Sequence, residues 1–137
     1  MRFLGLDFGS KTIGVSVSDK TNIIASSLVL LKYDDINKVL NDIEKLINQY
    51  KITHIVLGYP KNMNDTLNER TEKTLEFKKK LENLNVEVIL QDERLTTREA
   101  TRTLIEGDIS RKKRKNLVDK VASTFILQSY LDRRNNG

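Results

Sequence analysis

The chain begins with two strand-like segments, MRFLGLDF and TIGVSVSD, separated by only three residues. Apolar residues alternate with serines in the second segment, and we predict strands over residues 3–8 and 13–17. A link as short as residues 9–11 is typical of a tight hairpin, so the two strands should pair antiparallel. A third strand predicted over residues 23–31 extends them to an antiparallel meander, which makes a sheet the centre of the fold.

A parallel pair of strands is predicted in the second half of the chain. Short apolar runs at residues 54–57 and 86–90 are typical of strands, and a helical pattern over residues 67–84 lies between them. Two strands joined through a helix run parallel with a right-handed crossover. The parallel pair and the meander together predict a mixed five-stranded sheet.

Helical spacing of apolar residues recurs in three other segments. One helix is predicted over residues 35–50, with Asp34 or Asp35 placed to cap its start. Two more are predicted over residues 96–106 and 116–132, and helices in this order suit the faces of an α/β sheet. The last helix has a predicted buried stripe that consists of Leu117, Val118, Val121, Ala122 and Phe125.

Composition narrows the class of protein. The 137 residues suit one domain, 1–137, and no segment is typical of a signal peptide or a membrane span, which predicts a cytoplasmic protein without a membrane partner. The absence of cysteine excludes disulfides, thiolate metal sites and cysteine nucleophiles. We interpret the one histidine, His54, as structural. A net charge of +5 favours polyanions, and nucleic acid is the first partner predicted.

Three acidic positions stand out because of where they fall in the predicted elements. Asp7 interrupts an apolar strand, where an unpaired carboxylate is costly to bury. Glu93 follows the last predicted strand, with Asp92 as the alternative because strand ends fray by a residue. Asp119 falls at the edge of the buried stripe of the last helix. Ligands gather beyond the carboxyl ends of strands, so the three carboxylates converge if that helix packs near the first strand.

Converging carboxylates predict a metal site. Oxygen ligands that repel one another are typical of hard divalent cations, so Asp7, Glu93 and Asp119 are the predicted ligands of Mg²⁺ or Mn²⁺ and the predicted catalytic residues. Such ions promote hydrolysis of phosphodiesters. Each acid also has a structural alternative: capping for Asp7, a pair with Arg94 or Arg98 for Glu93, and a pair with Lys115 or Lys120 for Asp119.

The densest positive charge is RKKRK at residues 111–115, directly before the helix that carries Asp119. Basic side chains here would hold phosphates near the acids, and the alternative is a solvated loop. Few aromatic residues are present, so no platform for stacking bases is predicted. The predicted nucleic-acid contacts are Lys11, Arg94, Arg98, Lys112, Lys113 and Arg114.

The chain resembles the YqgF (RuvX-like) family in four segments: LGLDFGSKTIGVSVSD, IVLGYPKNMN, QDERLTT and KKRKNLVDKVASTFILQSYLD. The resemblance implies an RNase H-like fold with sheet order 3-2-1-4-5 and places the family's acids on Asp7, Glu93 and Asp119. The chain departs from the wider RNase H-like nucleases at GYPKNM, because this segment provides no acid after the fourth strand that could be a further metal ligand.

The resemblance implies a nuclease but leaves its substrate open. Family members are named for the resolution of four-way DNA junctions or for processing of pre-16S ribosomal RNA, and we favour the RNA precursor, with the ribosome as a further partner. Because paired cuts on a junction need two active sites, monomer and homodimer both stay open.

Two other functions fit parts of the sequence. The segment DFGSKTIGVSVSD is similar to the phosphate-binding hairpin of actin and sugar kinases, although their two lobes need a longer chain. A non-catalytic module that binds nucleic acid or the ribosome would need only the basic residues.

Overall fold

A computed structural model describes residues 1–8, 12–32, 34–59, 69–92 and 111–136, with side chains for these except 59, 69–71, 92, 111–120 and 136. The described strands are β1 (Phe3–Phe8), β2 (Thr12–Ser18), β3 (Ala25–Lys32), β4 (His54–Tyr59) and β5 (Glu87–Asp92). The described helices, which we number in chain order, are α1 (Ile36–Tyr50), α2 (Glu69–Glu82) and α3 (Arg111–Asn136).

The strands form one sheet in the order β3-β2-β1-β4-β5, which confirms the predicted topology. β1 pairs antiparallel with β2, and β2 pairs antiparallel with β3, as in the predicted meander. β1 also pairs parallel with β4, and β4 pairs parallel with β5. The carboxyl ends of β1, β4 and β5 therefore lie at the same end of the sheet.

The two faces of the sheet are covered by different helices. Alternate residues of the strands pack against α1 and α2 on one face, through side chains such as Ile43 and Phe77. On the other face a smaller core contains Phe3, Val56 and the α3 residue Leu127. We call this second side the α3 face. None of the described helices combines the length and the apolar character needed to cross a membrane.

The start of α1 shows which of two predicted caps is used. Asp35 has extended backbone angles, and its carboxylate accepts a hydrogen bond from the backbone N–H of Asn37 at 3.0 Å. Asp35 rather than Asp34 is therefore the cap. The helix ends at Tyr50 and is capped by Lys51, whose left-handed backbone lets its N–H bond back to the carbonyl of Ile47.

One end of the sheet, which we call the braced end, is tied together by Arg2, Ser18, Asn22 and Gln128. Arg2 donates from Nε to the carbonyl oxygen of Ser18 at 3.1 Å. Ser18 Oγ donates to Asn22 Oδ1 at 2.8 Å, and Asn22 Nδ2 donates to the carbonyl of Met1 at 2.9 Å. Gln128 Oε1 accepts from the backbone N–H of Ala25 at 2.9 Å, and Gln128 Nε2 donates to the carbonyl of Ile23, in the turn before β3, at 2.8 Å. These bonds join β1, β2, β3 and α3.

The turn before β3 corrects one predicted boundary. The carboxylate of Asp19 accepts the hydroxyl of Thr21 and the backbone N–H groups of Ile23 and Ile24, at 2.9 and 3.1 Å. These hydrogen bonds lower the pKa of the Asp19 carboxyl to about 2, and the bond from Thr21 has the largest effect. The prediction that strand three starts at 23 was wrong: it begins at Ala25, because the two isoleucines are held in the turn, with 56% and 57% of their surface exposed.

The last helix also differs from its prediction. It begins at Arg111, five residues before the predicted start at Asn116, so the basic segment belongs to the helix and is not a loop. Lysine and arginine are good helix formers, which explains why a run of them can continue a helix. The predicted helix over residues 96–106 and the hairpin link at 9–11 lie outside the described residues.

Candidate active site

Asp7 lies near the carboxyl end of β1 on the α3 face of the sheet. It has the strand parity of Phe3 and Gly5, whereas Leu4 and Leu6 belong to the core beneath α1 and α2. The side chain is half-buried, and its partner on β2 is Gly14. An acid that interrupts the apolar strand is thus directed away from the larger core.

Gly5 fixes how close α3 comes to the sheet. A Cβ on Gly5 would lie 2.3 Å from Ser16 Oγ, 2.7 Å from Leu127 Cβ and 3.0 Å from the carbonyl oxygen of Ser123. Such contacts are too short, so this position requires glycine because the helix backbone approaches closely. Ser16 Oγ donates to that same Ser123 carbonyl at 2.8 Å, which holds α3 over β1 and β2.

Position 119 lies on the buried side of α3. Ala122, Ser123 and Ile126, which follow it by three, four and seven residues, are all at most 1% exposed. Residues at these spacings share one helix face, so the backbone places position 119 on the face toward the sheet. The side chain of Asp119 itself lies outside the described part of the chain.

The predicted buried stripe of this helix was partly wrong. Val121 and Phe125 are half-buried, whereas the buried line runs through Ser123, Ile126 and Leu127. Ser123 was missed because a serine carries no apolar signal, and its burial depends on the hydrogen bond from β2. Of the other predicted members, Ala122 is buried, and the side chains of Leu117 and Val118 lie outside the described set.

The end of β5 bears on the choice between Asp92 and Glu93. Ile89 packs in the core of the α3 face, and Gln91 has the same strand parity, whereas Leu90 packs on the opposite face. Position 92, the last of β5, shares the parity of Leu90. Glu93 lies outside the described residues. Among the side chains that are described, no three histidine, aspartate or glutamate residues group to hold a metal ion, and the convergence of the three acids remains a prediction.

Three of the predicted nucleic-acid contacts lie on a described helix. Lys112, Lys113 and Arg114 occupy the first turns of α3, one to two turns before position 119, and this first turn contains no acid. The amino end of a helix also carries partial positive charge, so this end of α3 combines two sources of positive potential. Lys11, Arg94 and Arg98 lie outside the described residues.

Sequence reasoning overlooked the residues beside Asp7 on the α3 face. Gly14 is its neighbour on β2, and one further step in the β1–β4 register brings Gly58 level with it on the other side. Gln91, paired with Gly58, follows on β5 and is 5% exposed. Gly14, inside the predicted second strand, was an available signal, because strand interiors normally avoid glycine. Gly58 lay just beyond the predicted end of the fourth strand at residue 57, and that boundary was wrong because β4 continues to Tyr59.

Solved structures show the class of fold to which this chain belongs. RuvC from T. thermophilus in complex with a Holliday junction substrate has a TM-score of 0.59 at 13% identity, covering 98% of this chain and 96% of that one. Fowlpox virus resolvase with its substrate Holliday junction DNA has a TM-score of 0.58 at 18% identity, with 98% and 99% covered. The mixed sheet with α3 across β1 is therefore the RNase H-like fold of the resolvases.

Sequence comparison gives the family. The family model described as RuvX, Holliday junction resolvase, matches residues 1–133, and the chain belongs to that family. A relative from Agathobacter rectalis named "Putative pre-16S rRNA nuclease" is 51% identical, covering 99% of this chain and 98% of the relative. One of the same name from Clostridium botulinum strain Hall is 48% identical, with 96% and 97% covered. The predicted family is confirmed, and the class of enzyme is nuclease.

Proposed function

We propose that this protein is a metal-dependent nuclease whose acids are Asp7, Glu93 and Asp119, and that it processes the 5′ end of pre-16S ribosomal RNA. The observation that carries the proposal is the seat of α3 at Gly5, because it fixes which turn of the helix lies beside Asp7.

The path of β1 beneath α3 supports the pairing of Asp7 with Asp119. Phe3 contacts the ring of Tyr130 at 5.5 Å, and Gly5 lies against Ser123, so the strand runs toward the amino end of the helix. Two strand residues advance about 6.6 Å, which is a little more than one helical turn of about 5.4 Å. The turn before Ser123 contains position 119, which supports the proposal that Asp7 and Asp119 act together.

Strand parity supports Glu93 over Asp92 as the third acid. Ile89 and Gln91 share the α3 face with Asp7, and the next residue of this parity in the sequence is Glu93. Asp92 has the parity of the opposite face. The same sheet face would therefore provide two of the acids and α3 the other.

The donor set suits a hard divalent cation. All three side chains offer carboxylate oxygens, and the chain contains no cysteine that would favour a softer metal. Asp7, Glu93 and Asp119 would hold Mg²⁺ or Mn²⁺. When bound, such a cation supplies an activated water and stabilises the leaving oxygen of a phosphodiester.

The names of the relatives and the charge of α3 bear on the substrate. Relatives of about half-identical sequence are named for pre-16S rRNA, whereas the resolvases bound to Holliday junctions are under 20% identical. RNA is therefore the proposed substrate, and branched DNA is the alternative. Lys112, Lys113 and Arg114 would contact its phosphates, together with Lys11, Arg94 and Arg98. This substrate implies a cytoplasmic site of action, with the precursor ribosome as the proposed partner.

The test is cleavage by wild type, Asp7→Asn and the control Asp34→Asn, whose exposed carboxylate is not the cap of α1. Each protein is given an RNA with an extended ribosomal 5′ leader and a four-way DNA junction, in Mn²⁺ and in EDTA. We expect Asp7→Asn to lose more than about 100-fold in rate, since even the outer-shell partners of metal ligands cost roughly 10–100-fold.

The interpretation of this cleavage test depends on the stability of Asp7→Asn and on which of the two substrates is cleaved. The melting temperature of Asp7→Asn should equal or exceed that of wild type, because one of several repelling charges is removed. Normal cleavage by Asp7→Asn would refute the proposed site. Binding of both substrates without cleavage of either would favour the non-catalytic module, and cleavage of the junction alone would replace RNA by DNA.

A further inference from the structure

Three large apolar side chains are exposed at the braced end of the sheet. Among the residues whose side chains are described, Met1, Ile23 and Ile24 are the large hydrophobic residues that are mostly exposed, at 65%, 56% and 57% of their surface. They belong to one corner, because the isoleucines are adjacent in the chain and Asn22 donates to the carbonyl of Met1. Single apolar residues are common on protein surfaces, but a group rimmed by polar residues is typical of a protein contact site.

The turn that carries the isoleucines is fixed by hydrogen bonds, and we call residues 19–24 the isoleucine turn. The carboxylate of Asp19 accepts from the backbone N–H groups of Ile23 and Ile24, and the N–H of Asp19 donates to the carbonyl of Ile24 at 2.9 Å. Gln128 on α3 donates to the carbonyl of Ile23 at 2.8 Å. These bonds use the backbone of residues 23 and 24, so the conformation of the turn does not depend on their side chains.

A turn of this kind presents two apolar side chains that are ready to bind. Its backbone is already ordered, and isoleucine is restricted about its first side-chain torsion, so little conformational freedom is lost when a partner covers the turn. Removing apolar surface from water is favourable, and both isoleucines still expose more than half of theirs. The isoleucine turn is therefore suited to anchor a contact with another molecule.

Cations border the isoleucine turn. Lys20 is exposed within the turn itself. The last turn of α3 brings the exposed Arg133 and Arg134 beside it, since Asn135 on the same helix turn donates to the carbonyl of Asn22 at 3.1 Å. An apolar centre with a cationic rim is complementary to an apolar cleft that is bordered by carboxylates.

The chemistry of this surface favours a protein partner over nucleic acid or a second copy of the chain. Branched aliphatic side chains neither bond to phosphates nor stack on bases, which basic and aromatic side chains do. A symmetric contact with a second copy would bring the same cations together. Asp19 and Asp132 also lie at this corner, but both accept hydrogen bonds within the chain, from the isoleucine turn and from Gln128.

We infer that the isoleucine turn docks onto a protein of the precursor ribosome, at an apolar cleft bordered by carboxylates. The inference rests on the proposed function, in which that particle is the partner, and adds a second point of contact. Ala25, which follows the turn, pairs with Ser18, four residues along β2 from Gly14, the partner of Asp7. The docking surface therefore lies about 13 Å along the sheet from Asp7, so RNA and protein can be bound at opposite ends.

The experiment compares binding to purified small-subunit particles of the precursor ribosome with binding to the same precursor RNA freed of protein. The variant is Ile23→Ser with Ile24→Ser, and circular dichroism and urea midpoints establish that it is folded. We expect its affinity for particles to fall at least about 10-fold, as for anchor residues of an interface. Its affinity for free RNA and its cleavage rate should stay within about twofold of wild type, because no cation is removed. Unchanged affinity for particles would overturn the inference.

Two charge reversals provide a matched control. Lys20→Glu changes the rim of the isoleucine turn, whereas Lys45→Glu makes the same change at an exposed position of α1, on the other face of the sheet. We expect Lys20→Glu to weaken binding to particles more than Lys45→Glu does, and the two to have equal effects on free RNA. Equal effects on binding to particles would contradict the inferred charge complementarity.

A photoreactive amino acid at position 23 identifies what the isoleucine turn contacts, even if the serine variant does not fold. A cross-link to one protein of the purified particle is the expected result, and a cross-link to ribosomal RNA or to a second copy would overturn the inference. A wild type that cleaves free RNA but does not bind particles would also overturn it and leave the proposed function intact. Particle binding that depends on the isoleucines, without cleavage of any substrate, would refute the nuclease and retain the docking surface.

Discussion

The two ends of the sheet are built from different kinds of interaction. At the braced end, Arg2, Ser18, Asn22 and Gln128 connect strands and helix by hydrogen bonds between side chains and backbone. At the opposite end, which we call the acid end, Asp7 pairs with Gly14 on β2, and Gly58 lies on β4 one residue beyond the pair of Leu6 and Leu57. Glycine inside a strand contributes little to stability. The comparison teaches that one described network tying the strands to α3 lies at the end of the sheet opposite Asp7.

His54 shows the difference at the level of one residue. Its Nδ1 lies 2.7 Å from Thr53 Oγ1, its Nε2 lies 3.0 Å from Glu87 Oε2, and its ring is 5.0 Å from that of Phe3. All these partners lie at the amino ends of β1, β4 and β5, opposite Asp7. The histidine therefore joins neighbouring strands, as its structural interpretation predicts.

The comparison predicts that substitutions at the two ends of the sheet have different effects on stability and activity. We expect the largest loss of stability at Gly5, where α3 packs closely on β1. Gly5→Ala would force apart Ser16, Ser123 and Leu127, at a cost of about 1–3 kcal/mol in the free energy of unfolding. Because the helix also carries Asp119, cleavage should fall with stability. Urea denaturation and the RNA cleavage assay measure both. A variant as stable as wild type would show that α3 is not seated by this contact.

At the braced end we expect a loss of stability without a loss of activity. Arg2→Ala removes the bond to Ser18 and the guanidinium stacked 5.2 Å from the Tyr50 ring, and we expect unfolding to be easier by about 1–2 kcal/mol. Arg2→Lys keeps the charge but not the planar group, so it should recover only part of this difference. Urea denaturation gives the stability, and cleavage is measured well below the unfolding midpoint. A large fall in cleavage rate there would break the division between the ends.

Asp19 should give a pH-dependent effect at the braced end. Its folded pKa of about 2 lies below the ordinary value of 3.8, so its ionised form stabilises the fold above pH 3.8, and this contribution is lost as pH falls toward 2. Asp19→Asn should therefore be less stable than wild type at pH 7, with a difference that shrinks between pH 4 and pH 2. Denaturation across this range is the measurement. A constant difference would contradict the assigned hydrogen bonds to the carboxylate.

At the acid end, a triple substitution on α3 should have the smallest effect on the free energy of unfolding, and it should not lower that free energy. Replacing Lys112, Lys113 and Arg114 by alanine removes cations from the positive end of α3, so stability should stay equal or rise by a few tenths of a kcal/mol. Binding to RNA should weaken and lose salt dependence, by about 0.7 in the logarithmic slope for each lost phosphate contact on a single strand. Filter binding at several salt concentrations measures the slope. An unchanged slope would assign these residues to a solvated surface.

The strands could be predicted from the sequence because alternation and short links depend on neighbours along the chain, whereas their order in the sheet followed from the family resemblance. Residues 3–8 were predicted without error, and Asp35 was one of two predicted caps. The start of β3 was wrong because Asp19 holds a turn there by bonds to backbone groups, which hydropathy does not report.

The candidate site was predictable only in part. Asp7 was identified as an acid that interrupts an apolar strand, and position 119 as lying at the edge of a buried helix face. The burial of Ser123 and the position of Gly58 near Asp7 were not predicted, because both depend on residues that are distant in the sequence. The bond from Ser16 to Ser123 spans 107 residues, and Gly58 becomes a neighbour of Asp7 only through parallel pairing.

The unbroken course of α3 limits how the gene for this protein can change. Each residue inserted into a helix turns the segment before it by about 100° relative to the segment after it. An insertion between position 119 and Ser123 would leave the seat at Gly5 intact but rotate position 119 away from the sheet. A descendant could exchange residue types along this stretch, yet it could not lengthen or shorten the stretch by one codon and keep position 119 on the face toward the sheet.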